Sequence, residues 1–232
     1  MQEDFFEKKI KLSKFWLMLY NTFNIFGCVF ILYRIWQDSP NNDMSEYKFR
    51  ENDPHNLQRV FMISEIVPFL ELLHHFLGIQ KIKQHIVINM IINTWIWFGV
   101  IAYNMNNKYV IYWVLVRCIN KVIRHFYNAY LAMDLKYEIY FIDYLRMTSY
   151  YAIYVIEYVL SLILVIQTLP KIKTEGALSK TMPNFFNFDF DYQLVYFFYI
   201  CASIPNFINT FVYLHRKRKQ QLYQAKIRAK LH

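Results

Sequence analysis

Apolar residues in this chain come in long blocks, and the polar residues are gathered into the gaps between them. Six blocks stand out, at residues 14–36, 57–79, 85–106, 109–133, 144–168 and 192–214. Each is close to the roughly 20 residues that a helix needs to cross a bilayer's hydrocarbon. The pattern predicts an all-α, polytopic integral membrane bundle of six transmembrane helices over 14–214, flanked by a basic N-terminal segment at 1–13 and a basic C-terminal tail at 215–232. Asp38, Asp43, Glu46, Glu51 and Asp53 mark Gln37–Asn56 as a polar loop. Pro170, Gly176 and Pro183 mark Pro170–Asp191 as another. No internal repeat is present.

Composition agrees with a second apolar solvent. Hydrophobic residues make up 56% of the chain and aromatic residues 20%, whereas soluble domains hold roughly 45–50% apolar residues with glycine counted. The net charge of +9 does not point to nucleic acid, because the basic residues cluster at the chain ends and beside apolar blocks, as topology signals do. Lys8, Lys9, Lys11 and Lys14, then Lys81 and Lys83, then Arg216, Lys217, Arg218 and Lys219 all fall on one side of the membrane if the count of spans is even. Both termini should therefore share one side, the cytosol or the mitochondrial matrix. Lys171, Lys173 and Lys180 weaken that asymmetry slightly. The first block is too long for a signal-peptide core and lacks a small-residue cleavage site, so it is expected to stay as a helix. Cys28, Cys118 and Cys201 sit in separate blocks and read as reduced packing residues.

Ionisable residues at membrane depth are costly and normally face the bundle interior. Here they are Glu65, Glu71, Arg117, Lys121, Arg124, Arg146 and Glu157. Arg117, Lys121 and Arg124 follow i, i+4, i+7 and share one face. Such a stripe needs Glu71 or Glu157 as a partner. Arg117 and Arg146, nearer block ends, are placed to snorkel. Two readings stand: interhelical ion pairs that hold the bundle together, or a polar cavity between helices. His74, His75 and His85 lack partners at a recognised metal-ligand spacing, so no metal or other cofactor is expected. Phosphate-loop, dinucleotide and nucleophile-elbow motifs are absent.

Four stretches then carry a family resemblance. Leu19, Tyr20 and Asn21 precede Gly27; Leu70, Glu71 and His74 precede Gly78; Ile123 and Arg124 lie in an aromatic-rich block; Leu145, Arg146 and Thr148 precede Tyr154. Together and in this order they resemble the 3-hydroxyacyl-CoA dehydratase-like family, once named protein-tyrosine-phosphatase-like. The resemblance implies a six-helix membrane enzyme, a hydro-lyase that removes water from a (3R)-3-hydroxyacyl-CoA to give the trans-2-enoyl-CoA in very-long-chain fatty-acid elongation. It also implies an endoplasmic-reticulum location, with the mitochondrial inner membrane as the alternative. The family's catalytic pair is a Tyr and a Glu seven residues apart on one helix, which puts both side chains toward one cavity. The old family name finds no support, since no Cys precedes a phosphate-binding loop.

The register of Leu145, Arg146 and Thr148 carries the catalytic Tyr onto Tyr154 and the catalytic Glu onto Ser161, a degenerate position. Val155 and Glu157 replace the family's Pro and Gly, Lys121 replaces a Glu, and Met90 and Thr94 fall where the family has Gln and Arg. Glu71, His74, Arg124 and Lys121 form the supporting polar set. Losing one carboxylate while gaining Glu157 and Lys121 rearranges the buried charge without a clear excess. That favours a non-catalytic structural or accessory subunit of a larger membrane complex, with membrane lipids, other subunits and a long-chain acyl-CoA as candidate partners. The alternative is an active dehydratase rebuilt around Tyr150 or Tyr154 with Glu157, since Tyr150 and Glu157 keep the seven-residue spacing. The last residues, Arg228–His232, loosely resemble a retrieval signal and are equally suited to contacting anionic headgroups.

Overall fold

The computed structural model describes residues 2–39, 57–79, 84–105, 107–133, 140–175 and 191–231, and among them all regular structure is helical. Helix α1 covers Gln2–Asp38. Helix α2 (Leu57–Ile66) passes through a 3-10 turn at Val67–Phe69 into α3 (Leu70–Phe76). Helix α4 (Gln84–Trp95) continues through a π segment at Ile96–Val100 and a 3-10 turn at Ile101–Tyr103. Helices α5 (Lys108–Ala132), α6 (Tyr140–Glu175) and α7 (Tyr192–Leu231) complete the bundle.

Among the described residues, three segments are long and apolar enough to cross a membrane: Leu12–Asp38, Tyr144–Thr174 and Tyr192–Gln220. The other three predicted spans differ for physical reasons. The second is broken at Pro68, the third is a shorter apolar helix (Val87–Val100), and the fourth carries the stripe of Arg117, Lys121 and Arg124. Polar residues inside α1 turn onto their own helix, with Asn21 donating to the Leu17 carbonyl at 2.6 Å, Thr22 to Met18 at 2.8 Å and Asn24 to Tyr20 at 2.8 Å. A helix facing lipid must satisfy such groups internally. Phe15, Phe23, Phe26 and Phe30 of α1 and Phe197 and Phe198 of α7 remain exposed, as lipid-facing side chains are.

Local signals position the breaks. Pro68 has no N–H to give to the carbonyl four residues back, and the freed Ser64 carbonyl accepts from Lys121 Nζ at 2.6 Å. Gly78 has φ +69°; its N–H bonds to the His75 carbonyl and the Ile79 N–H to the His74 carbonyl. This is a Schellman C-cap, in which glycine takes the left-handed position without a Cβ clash. Asn107 caps α5 by accepting from the Tyr109 N–H at 3.0 Å. Pro170, expected to open a loop, lies inside α6, which runs on to Glu175. One missing N–H does not end a helix that packs on both sides of it, and Thr174 donates to the Pro170 carbonyl at 3.1 Å. Residues 40–56 and 176–190 of the two predicted loops, and the side chains of 228–232, lie outside the described residues.

Paired contacts give the relative directions. Asn21 meets His125 and Cys28 meets Cys118, while Arg117 meets Glu157 and Trp113 meets Ser161. Asn104 meets Thr168, Tyr158 meets Ser203, and Tyr151 stacks near Phe211. Helix α1 is thus antiparallel to α5, α5 to α6, and α6 to α7. The apolar core lies toward the N-terminal end of α5, where Phe61, Trp97, Trp113, Val114, Leu164 and Tyr196 interlock. Gly99 allows Tyr196 to reach its carbonyl, and Tyr192 lies where a Cβ on that glycine would be.

Candidate functional site

Toward the C-terminal end of α5 the interior turns from apolar to charged. Arg117, 9% exposed, donates to Glu157 at 2.8 Å and pairs with Glu65 at 3.3 Å. Lys121 pairs with Glu65 at 2.7 Å, and Arg124 with Glu71. Asn120 donates to the second Glu157 oxygen at 2.8 Å. Three carboxylates thus meet three cations along one face of α5, which is the arrangement that makes buried charge tolerable. Arg117 does not snorkel, as its place in the sequence suggested; it reaches two helices at once because it lies mid-helix. Its partners, and that of Lys121, include Glu65, which the spacing of the stripe alone does not assign.

The surviving motif residues converge beside this network. Tyr20 and His74 meet edge to face with centroids 5.0 Å apart, and Trp16 donates to His74 Nε2 at 2.9 Å. His125 Nδ1 lies 2.8 Å from the Asn21 oxygen. Glu71, on the same short helix as His74, holds Arg124. The Leu-Tyr-Asn stretch, the Glu-x-x-His stretch and Arg124 therefore tie α1, α3 and α5 to one another.

Between α4, α5, α6 and α7 lies a cavity of about 260 Å³. Tyr150, Tyr154, Glu157 and Ser161 of α6 line it, as do Lys121 and Arg124. Glu71 and His74 are not among its lining residues. Ser161, where the resemblance places the catalytic carboxylate, is fully engaged: its hydroxyl donates to the Glu157 carbonyl at 2.7 Å and accepts from Trp113 Nε1 at 2.9 Å. Tyr154 stacks on Phe207 with centroids 5.6 Å apart and on Tyr150 at 6.5 Å. Met90, at the family's Gln position, forms an apolar patch of the wall. Asn120 is the residue that sequence reasoning passed over. It carries no motif, and its role shows only once α5 faces α6.

Residues 65–224 match the model of the family described as "Protein tyrosine phosphatase-like protein, PTPLA". The chain belongs to this family. It is also 22% identical over 172 residues to the "Very-long-chain (3R)-3-hydroxyacyl-CoA dehydratase 1" of Canis lupus familiaris, a match covering 72% of this chain and 68% of that relative. No solved structure matches the chain. As a divergent member of the PTPLA family it keeps a dehydratase-like helical membrane scaffold, and the family match runs from the Glu65 end of α2 through the cavity-lining stretches of α4 to α7.

Proposed function

We propose that this chain is a non-catalytic member of the dehydratase-like family, an accessory subunit of a larger membrane assembly that keeps the bundle and its cavity without the reaction. Dehydration needs a base beside the thioester carbonyl and an acid at the departing hydroxyl. The observation that carries the reading is the state of the two positions where a base would stand. Ser161 is bound at both its donor and acceptor positions, and each oxygen of Glu157 already accepts from Arg117 or Asn120. Six transmembrane spans, both termini on the cytosolic side and residence in the endoplasmic reticulum belong to the same proposal. The antiparallel order α1, α5, α6, α7 supports it by bringing the start of α1 and the end of α7 to one end of the bundle. Partners would be membrane lipids, other subunits, and a long-chain acyl-CoA held without turnover.

One observation favours the alternative, an active (3R)-3-hydroxyacyl-CoA dehydratase. Tyr150, Tyr154 and Glu157 line a single cavity, so a rebuilt dyad has its members together. Steady-state conversion of a long 3-hydroxyacyl-CoA by purified protein in lipid vesicles, with Glu157→Gln beside it, separates the two. The proposal expects no enoyl-CoA from either protein. Turnover abolished by Glu157→Gln would establish the alternative.

A further inference from the structure

Helix α7 holds the least buried of the three long apolar segments. It packs inward through Ser203, which meets Tyr158, and through Phe211, beside Tyr151. Its outer side carries Phe198, Ala202, Pro205, Asn209 and Val212, all exposed. Their spacing alternates four and three residues, the 3.5-residue repeat of a helix that packs along a second helix. Contact with lipid tails alone calls for no such repeat and for no polar member.

Asn209 is the polar member. Arg216, where the basic stretch begins, lies seven residues further on, about 10 Å at 1.5 Å per residue, so the Asn209 amide stands within the hydrocarbon. Asn21 and Asn24 of α1 bond to carbonyls of their own helix. Asn209 makes no hydrogen bond among the described residues and is exposed. An amide both donates and accepts; lipid tails offer it nothing, and a hydrogen bond across a helix interface satisfies it. Pro205, one turn back, has no N–H to give to the Cys201 carbonyl, which leaves a backbone acceptor beside the same face. Ala202 supplies the small side chain that lets two helix backbones approach closely.

The occupant follows from the amide. Copies of this chain share one orientation in the membrane, so a two-fold axis along the membrane normal sets each residue of α7 at the depth of its own counterpart. A cation or a carboxylate would repel its counterpart there, whereas an amide pairs with itself. None of the five positions is charged. A single asparagine in such a seam also fixes the register of the two helices.

We propose that α7 pairs with α7 of a second copy of this chain along Phe198, Ala202, Pro205, Asn209 and Val212, with reciprocal hydrogen bonds between the two Asn209 amides. The pairing face lies outside the cavity and does not depend on whether the cavity carries out a reaction.

The full chain in vesicles of neutral lipid tests it. Copies labelled with donor or acceptor dye at the N-terminus, mixed at falling protein-to-lipid ratio, give the dimer dissociation constant by energy transfer. Asn209→Leu should raise that constant about tenfold, as expected for two interhelical hydrogen bonds in lipid, and Asn209→Gln should keep most of the affinity. Since Asn209 faces outward, the thermal unfolding of either variant should match that of the native chain. A second arm uses cross-linking in a Cys201→Ser background, where the remaining Cys28 and Cys118 are buried. With copper phenanthroline as oxidant, Ala202→Cys should give a disulfide-linked dimer, and Ile156→Cys, on the exposed side of α6, should not. A native chain that stays monomeric at every ratio would overturn the proposal and leave the face to a helix of another protein. So would a dimer whose affinity Asn209→Leu leaves unchanged, or cross-links formed through Ile156→Cys and not through Ala202→Cys.

Discussion

The two ends of the bundle are held together by different physics. Toward the start of α5, Phe61, Trp97, Trp113 and Tyr196 fill the interior with aromatic packing, and Phe61 at its boundary faces Lys121 Nζ at 5.6 Å. Toward its end, Arg117, Lys121 and Arg124 meet three buried glutamates around a cavity. In lipid, apolar helices gain nothing by hiding from their solvent. The first half therefore depends on close packing and on interhelical hydrogen bonds such as Trp113 to Ser161 and Tyr196 to the Gly99 carbonyl. In the charged half, losing Arg117 strips Glu157 of its ion-pair partner, and losing either Glu71 or Arg124 strands the other. Glu71 and Arg124 therefore have a structural reason to persist whether or not any reaction does. In the proposed reading, retention of family residues and retention of family chemistry are separable, and the line between them runs along α6 at Ser161.

The contrast can be broken by substitution. Arg117→Met removes the cation shared by Glu65 and Glu157 and should destabilise the protein by about 3–5 kcal/mol, the range for deleting one partner of a buried pair. Unfolding in mixed micelles would register it, and adding Glu157→Gln should recover part of the loss. Phe61→Ala in the apolar half should cost less, about 2 kcal/mol, because the lost packing remains while the transfer contribution largely cancels in lipid. If Phe61→Ala proved as damaging as Arg117→Met, the division into two regimes would fail. Gly99→Ala should cost about 1–2 kcal/mol by overpacking, since the new Cβ would meet Tyr192 and lie 3.2 Å from Trp95 Nε1. It should also disturb the 2.7 Å bond from Trp95 to Tyr192, visible as a change in tryptophan fluorescence. Trp113→Phe is the smallest, about 1 kcal/mol, because Ser161 keeps its bond to the Glu157 carbonyl.

The bundle was legible in the apolar blocks, and the sign complementarity of the α5 stripe was legible in its spacing. Which carboxylate meets which cation was not, because that depends on the register between helices. Glu65 sits opposite both Arg117 and Lys121, and one turn beyond it Pro68 breaks the helix and leaves the Ser64 carbonyl to Lys121. Gly78 was legible as a motif member, and its cause as a C-cap became evident from its backbone angle. Pro170 misled, since a proline removes one bond and does not by itself end a long packed helix. Asn120 left no sequence signal at all: a single amide within an apolar block acquires meaning only from Glu157 across the interface.

The central claim, a retained scaffold without its reaction, is tested most directly by a single-turnover experiment. Protein in vesicles would be held in excess over a long 3-hydroxyacyl-CoA, and enoyl-CoA followed by mass spectrometry, so that even slow chemistry accumulates. No product above the protein-free rate is the expected result. Product formed by the native chain and lost in both Tyr154→Phe and Glu157→Gln would contradict it.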